Sequence, residues 1–225
     1  MRARSALSVV VVAFALSSVA SAQSPDSLRA TIRPRVDTLV ITQTGAAVGR
    51  RITTWTRLGL DQLIVNAEHN TVDGSRILDS TFSDPRTLRP TRSVRLSRDS
   101  VIAVLFGQDT VFVTTIIAGR SSTAWAVAPE AELFTPSSID ALAATMPLRT
   151  AATRRLLVFY APPSTRSIQG VQLRVEGPED VRGRAAWRVA ATTPGGGSTY
   201  WIDGRTRAIL RSDVRDGETL VALRP

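Results

Sequence analysis

From residue 36 onward the chain is a succession of short runs in which apolar and polar residues alternate, separated by turns bearing Gly, Asp or Pro. The most legible run is Thr199 to Arg211, Thr-Tyr-Trp-Ile-Asp-Gly-Arg-Thr-Arg-Ala-Ile-Leu-Arg. Aromatic and β-branched residues lead into Asp203-Gly204, and Ala208-Ile209-Leu210 follows. Asp-Gly between two such runs is a strong hairpin signal, because glycine accepts the positive φ of a tight turn. A loop over residues 203–204 or over 203–206 gives the same faces, since both lengths are even. Trp201 then lies with Thr199, Ala208 and Leu210. Tyr200 and Ile202 lie with Ile209, Arg207 and Arg211.

The same pattern predicts strands at Val36–Thr44, Arg51–Leu58, Gln62–Asn70, Ile77–Phe82, Ser93–Ser97, Val101–Phe106 and Thr110–Ala118. It resumes at Arg155–Tyr160, Gln169–Glu176, Ala185–Thr192 and Glu218–Leu223. Turns are expected at Gly45–Gly49, Gly59–Asp61, Asp73-Gly74 and Gly177–Gly183, with a flexible loop at Pro194–Gly197. Val101–Phe106 is apolar on both faces, with Val101, Ala103 and Leu105 against Ile102, Val104 and Phe106. Such a strand needs something packed against each face. One helix stands out. Thr135 suits the N-cap, Pro136 the first helical position, and Ile139, Leu142, Ala143 and Met146 fall on one face before Pro147 stops it. It is expected to cover part of the sheet's inner face. Strands at a spacing of about 8–12 residues, with turn signals between, make a sandwich or a barrel.

The first residues have a different logic. Met1 to Arg4 is basic, Ala6 to Leu16 is apolar, and Ala20-Ser21-Ala22 is a small-x-small cleavage site before Gln23. This is the layout of an export signal, and the apolar run is short of the ~20 residues that span a bilayer. The expected organisation is a signal peptide at 1–22, cleaved between Ala22 and Gln23, and a single β-rich domain at 23–225 in the periplasm. A short helix start is expected at Ser24-Pro25-Asp26. Cysteine is absent, so disulfides, a lipid-modified cysteine and thiolate metal sites are excluded. All 28 basic residues are arginine. Two of them lie in the signal, leaving 26 against 19 acids, or +7. The arginines are spread through strands and turns, not clustered with aromatics, which argues against nucleic acid. A basic surface is compatible with contact with an anionic membrane leaflet, peripheral at most.

Catalytic candidates are few. His69 is the only histidine, with Glu68 and Asp73 near it in sequence, but no Gly-x-Ser-x-Gly elbow marks a nucleophile. The acid pairs Glu130/Glu132 and Glu179/Asp180 sit beside Pro or Gly in loop-like sequence. No metal site, no cofactor and no catalytic residue is expected. The four tryptophans, Trp55, Trp125, Trp187 and Trp201, are the best candidates for ligand contact, because a large ring not needed by the core often lines a pocket.

A resemblance is carried by Val175-Glu176-Gly177-Pro178-Glu179-Asp180-Val181, Gly183-Arg184-Ala185-Ala186-Trp187-Arg188-Val189, Trp201-Ile202-Asp203, Thr206 and Ile209-Leu210-Arg211. Gly45 to Gly49 and Thr87-Leu88-Arg89-Pro90 extend it. The chain resembles exported bacterial proteins of unknown function that are similar to the periplasmic lipoprotein carriers. The resemblance implies a mainly β protein: one strongly curved antiparallel sheet, an incomplete barrel, with one or two short helices against its concave side. In the carriers that cavity binds acyl chains. The expected function is binding of a lipid or other hydrophobic ligand, without enzymatic activity. The alternative is a structural or accessory envelope module that binds a partner protein. A hydrolase built on His69 or Glu179 ranks below both.

Overall fold

The computed structural model describes residues 33–127, 132–161, 167–213 and 218–222, with the backbone alone for 125–127 and 218–222. The expected signal and the helix start at Ser24 lie outside these residues. The chain forms β1 (Arg35–Gln43), β2 (Ala46–Leu58), β3 (Asp61–Asn70), β4 (Arg76–Ser83), β5 (Pro90–Leu96), β6 (Ser100–Phe106), β7 (Thr110–Ile117) and β8 (Arg120–Val127). After β9 (Leu133–Phe134) comes the helix α1 (Pro136–Thr145). β10 (Thr153–Tyr160), β11 (Ser167–Val181), β12 (Arg184–Thr193), β13 (Gly196–Asp203), β14 (Ile209–Asp213) and β15 (Glu218–Ala222) complete it.

All fifteen strands belong to one sheet, made of two meanders. β1 to β8 pair in sequence order, and so do β10 to β15. β1 pairs with β15, Leu39 opposite Ala222, and fuses the two. Every pairing is antiparallel except the short β9, which runs parallel to β10. β-Bulges interrupt the ladders at Ile41/Thr42, Phe82/Ser83, Val175/Gly177 and Trp201/Ile202. A bulge bends its strand and adds local twist, and four of them help the sheet to curl.

The curl encloses α1. Leu142 and Ala143 of the helix and Met146 at its C-cap pack with Trp55, Ile64, Leu156, Val158, Leu173, Val189, Tyr200 and Ile202 from the inner face of the sheet, and Ile139 packs beside them. This is the expected helical face in its expected place. Thr135 is the N-cap residue, but its side chain caps no backbone amide. Its hydroxyl bonds instead to those of Ser137 and Ser138, at 3.0 and 2.8 Å. A second cluster closes the roll. Ile102, Val104, Val111 and Val113 on β6 and β7 meet Leu133 of β9 and Phe159 of β10, which stand at the other end of the strand order. The result is a curled, barrel-like sheet with a helix on its concave side.

Several local readings change, and the turn expected at Gly45–Gly49 is Thr44-Gly45, with β2 starting at Ala46. β11 runs to Val181, through the segment expected to turn. Gly177 (φ 155°) supplies a bulge there, and the turn is Arg182-Gly183, both at positive φ. The expected flexible loop at 194–197 is a tight turn, and β13 starts at Gly196. β8 is a strand without a sequence signal, because Ser121-Ser122-Thr123 hides its alternation. The doubly apolar β6 is covered on one side. Ile102 and Val104 are buried, whereas Leu105 opposite them is 55% exposed.

Candidate functional site

The inner face of the N-terminal meander is unusually polar for a core. Arg51 of β2 lies opposite Glu68 of β3 and is paired with it at 2.5 Å. The same guanidinium reaches Asp140 of α1 at 3.2 Å. Asp140 also accepts a hydrogen bond from the Tyr200 hydroxyl on β13. Burial pushes the Asp140 carboxyl above its ordinary range even though Arg51 pulls the other way. Burial, together with Asp140, holds the Tyr200 hydroxyl well above its usual value. Burial alone depresses Arg51, but the Asp140 and Glu68 carboxylates outweigh it and leave the guanidinium more basic than usual. The arrangement ties the helix to both meanders: β2 and β3 on one side, β13 on the other. Thr53 and Asn66 bond at 2.7 Å in the next row.

That row continues through Asp79, Arg95 and Ile102, and there a cavity of about 380 Å³ opens between β4–β6, the start of α1 and the end of β10. Ile102, Val104 and Phe159 make one apolar end. Asp79, Ser93, Arg95, Ser97, Ser100 and Ser137 give the rest a polar lining. The Ser137 hydroxyl is fixed by Thr81 of β4 at 2.7 Å and by Thr135. Burial pushes the Asp79 carboxyl up, against the pull of Arg95. Burial likewise raises Tyr160 at the rim. The volume lies in the lower part of the range of small-molecule sites, and the mixture of apolar wall and few polar groups is their usual composition. Chemically the cavity can hold an apolar body and satisfy a polar end.

The tryptophans are not brought together. Trp55 is 2% exposed in the main core, with the Arg35 guanidinium stacked 4.4 Å from its ring. Trp187 pairs with Ile202 and packs against the same core from its margin. Trp201 faces the other way, buried with Ala186 and Leu210 beneath Arg211 at 4.6 Å. The bulge at Trp201/Ile202 sets Arg211 opposite Trp201, a correction to the expected faces, while Ile209 stays with Ile202. Trp125 pairs through its backbone with Phe112. Of the three whose side chains are described, none lines the cavity. The cavity's own residues, small hydroxyls, Ile102 and Val104, two aromatics and the charged Asp79 and Arg95, come from separate segments, and no single stretch of sequence marks them as a site.

His69 and Glu68 occupy adjacent positions of one strand and so point to opposite faces. Glu68 is held by Arg51 inside, and His69 lies between Arg50 and Arg76 in the ladder outside. They form no acid–base pair. Glu179 sits at the surface 3.8 Å from Arg188, and the Asp180 carboxylate accepts the Gly183 N–H in the turn at 2.7 Å. Glu130 lies outside the described residues. Among the described residues no group of three His, Asp or Glu could hold a metal ion.

A family profile described as "Protein of unknown function (DUF3108)" matches residues 38–223. No curated protein matches the chain. Among solved structures, it is similar to a beta-barrel-like protein of domain of unknown function DUF1849 from Brucella abortus. The identity is 10%, the TM-score 0.54, and the likeness covers 86% of this chain and 97% of the other. At that identity the likeness concerns the fold alone.

Proposed function

The chain belongs to the DUF3108 family of proteins of unknown function, and from the interior of this member we propose that it binds a lipid or similar amphipathic molecule. The observation that carries the reading is the cavity between β4–β6, α1 and β10, with Ile102, Val104 and Phe159 at one end and Asp79, Arg95 and Ser137 nearby. An acyl chain or comparable apolar body lies against the aliphatic end, and its polar end meets the serine hydroxyls and Arg95. In this reading an export signal at residues 1–22 carries the chain to the periplasm. Binding without chemistry is the role we assign, since the His69 and Glu68 side chains diverge.

Titration with a fluorescent fatty-acid analogue tests it. Saturable binding to the parent, weakened tenfold or more by Val104→Trp, which fills the apolar end, is the expected result. No saturable binding by a folded parent would overturn the reading. A second reading, an accessory envelope module that recruits a partner protein, rests on β8, an eight-residue edge strand that pairs with β7. An exposed edge is a template for strand addition.

A further inference from the structure

We propose that the outer face of β2–β8 docks on an anionic phospholipid bilayer. The ladder register lays that face out in rows. One row runs Ile52, Ala67, Leu78, Leu96, Val101 and Ile116, each directly opposite the next across six strands. A second, four positions along the strands, runs Leu63, Phe82, Arg92, Leu105 and Phe112, and the row between them is mixed: Thr54, Val65, Ser80, Val94, Ala103 and Thr114. The one cation of the second row is laid over an aromatic ring, with the Arg92 guanidinium 3.7 Å from the centre of Phe82. The face is open. Leu96, Leu105, Phe112 and Ile116 are 38%, 55%, 45% and 37% exposed. Exposed aliphatic and aromatic side chains gathered on one face of a sheet mark something that covers them. The same side of the C-terminal meander is polar, carrying exposed Gln172, Arg174, Glu176 and Arg188, so the apolar character belongs to one half of the sheet.

Charge selects the occupant. Beyond the first apolar row the register continues with Arg50, His69 and Arg76, and Arg98 stands in the following turn. A groove of about 680 Å³ lies here, with Arg50, Arg76 and Arg98 around Ile52, Leu78 and Leu96. At this end of the strands Arg50, Arg76, Arg98 and Arg120 stand with Asp73 and Asp99, while Glu68, which also lines the groove, is paired with Arg51. A row of cations beside a row of aliphatics matches the layering of phosphate headgroups over acyl chains. A second copy of the chain related by a two-fold axis would instead bring arginine against arginine. The interior cavity opens on the other face of the same strands, so the two surfaces are separable by mutation.

Vesicle flotation tests the proposal, with phosphatidylcholine alone and phosphatidylcholine mixed with phosphatidylglycerol. Parent and variants carry the same N-terminus, so any pull of its apolar stretch is common to all. The parent is expected to float with the anionic vesicles and far less with the neutral ones. Arg50→Gln/Arg76→Gln/Arg98→Gln is expected to weaken anionic binding on the order of a hundredfold at low salt. Leu96→Ser/Ile116→Ser is expected to weaken it at every salt concentration, with urea unfolding confirming the fold of both variants. Equal flotation on both vesicle types, or variants indistinguishable from the parent, would overturn the proposal. So would a concentration-dependent dimer, abolished by Leu96→Ser/Ile116→Ser, in a parent that does not float. That outcome assigns the face to a second copy.

Discussion

Arg51 on β2 and Asp140 on α1 meet at 3.2 Å inside the curled sheet, and through that contact the helix is fixed to the wall it covers. Glu68 and Tyr200 complete the arrangement, one from each meander. Removing the cation leaves two carboxylates without their partner in a desolvated site. Arg51→Met is expected to lower stability by about 3–5 kcal/mol, measured by urea unfolding. A loss under about 1 kcal/mol would show that the pair is solvated and does not hold the helix.

Asp140 makes stability depend on pH in an unusual direction. Burial raises its carboxyl in the folded state above the ordinary 3.8, so the folded protein binds that proton more tightly than the unfolded chain. Its contribution is therefore fully present below pH 3.8 and lost as pH rises through the raised value. The stability of the parent relative to Asp140→Asn should fall as pH is raised above about 4. Unfolding titrations at a series of pH values read this difference, and a parent that gains on the variant over that range would contradict the assignment.

Asp203 gives the opposite sign. Burial pushes its carboxyl up, but the N–H groups of Thr206 and Arg205 and the Arg184 guanidinium outweigh this and hold it below 3.8. Its contribution is present above pH 3.8 and lost as pH falls through the lowered value. The parent's advantage over Asp203→Asn should be constant near neutrality and disappear in acid. The same unfolding series, extended downward, checks it.

Two glycines separate close approach from backbone freedom. A Cβ at Gly49 would overlap the carbonyl oxygen of His69 on the paired strand, whereas one at Gly45 meets nothing within 4 Å. Gly45 instead holds φ at +86° in the β1–β2 turn. Gly45→Ala should cost about 1 kcal/mol. Gly49→Ala should cost about 2 kcal/mol or more, because the ladder itself must shift. Thermal unfolding of the two variants gives the order.

Much of the fold was legible because strand faces alternate with a fixed period and the helix announced both its cap position and its stop. Tyr200, Ile202 and Ile209 lie together as their parity requires, and Leu142, Ala143 and Met146 face the core. Parity fails where a bulge inserts a residue, which is why Arg211 crosses to Trp201. The pattern at Asp203-Gly204 allows a two- or a four-residue turn. At Asp203 the loop has four residues, 204–207, closed by the Asp203 N–H to the Ala208 carbonyl, and the carboxylates of Asp73, Asp84 and Asp203 accept backbone N–H groups from residues two or three ahead. The tight two-residue turns with both φ values positive are Thr44-Gly45, Ala118-Gly119 and Arg182-Gly183. The cavity was not legible at all. Ser93, Ile102, Ser137 and Phe159 come from four separate elements, and only the closure of β6 over β10 brings them within reach of one ligand. The tryptophans drew attention by size, and size placed Trp55 and Trp201 in packed clusters.

The central claim is that the interior holds an amphipathic ligand, and native mass spectrometry of gently purified protein tests it most directly. The account predicts an adduct of lipid or fatty-acid mass on the parent, released by solvent extraction and absent from Val104→Trp. A bare mass for both proteins, with cooperative unfolding intact, would contradict it.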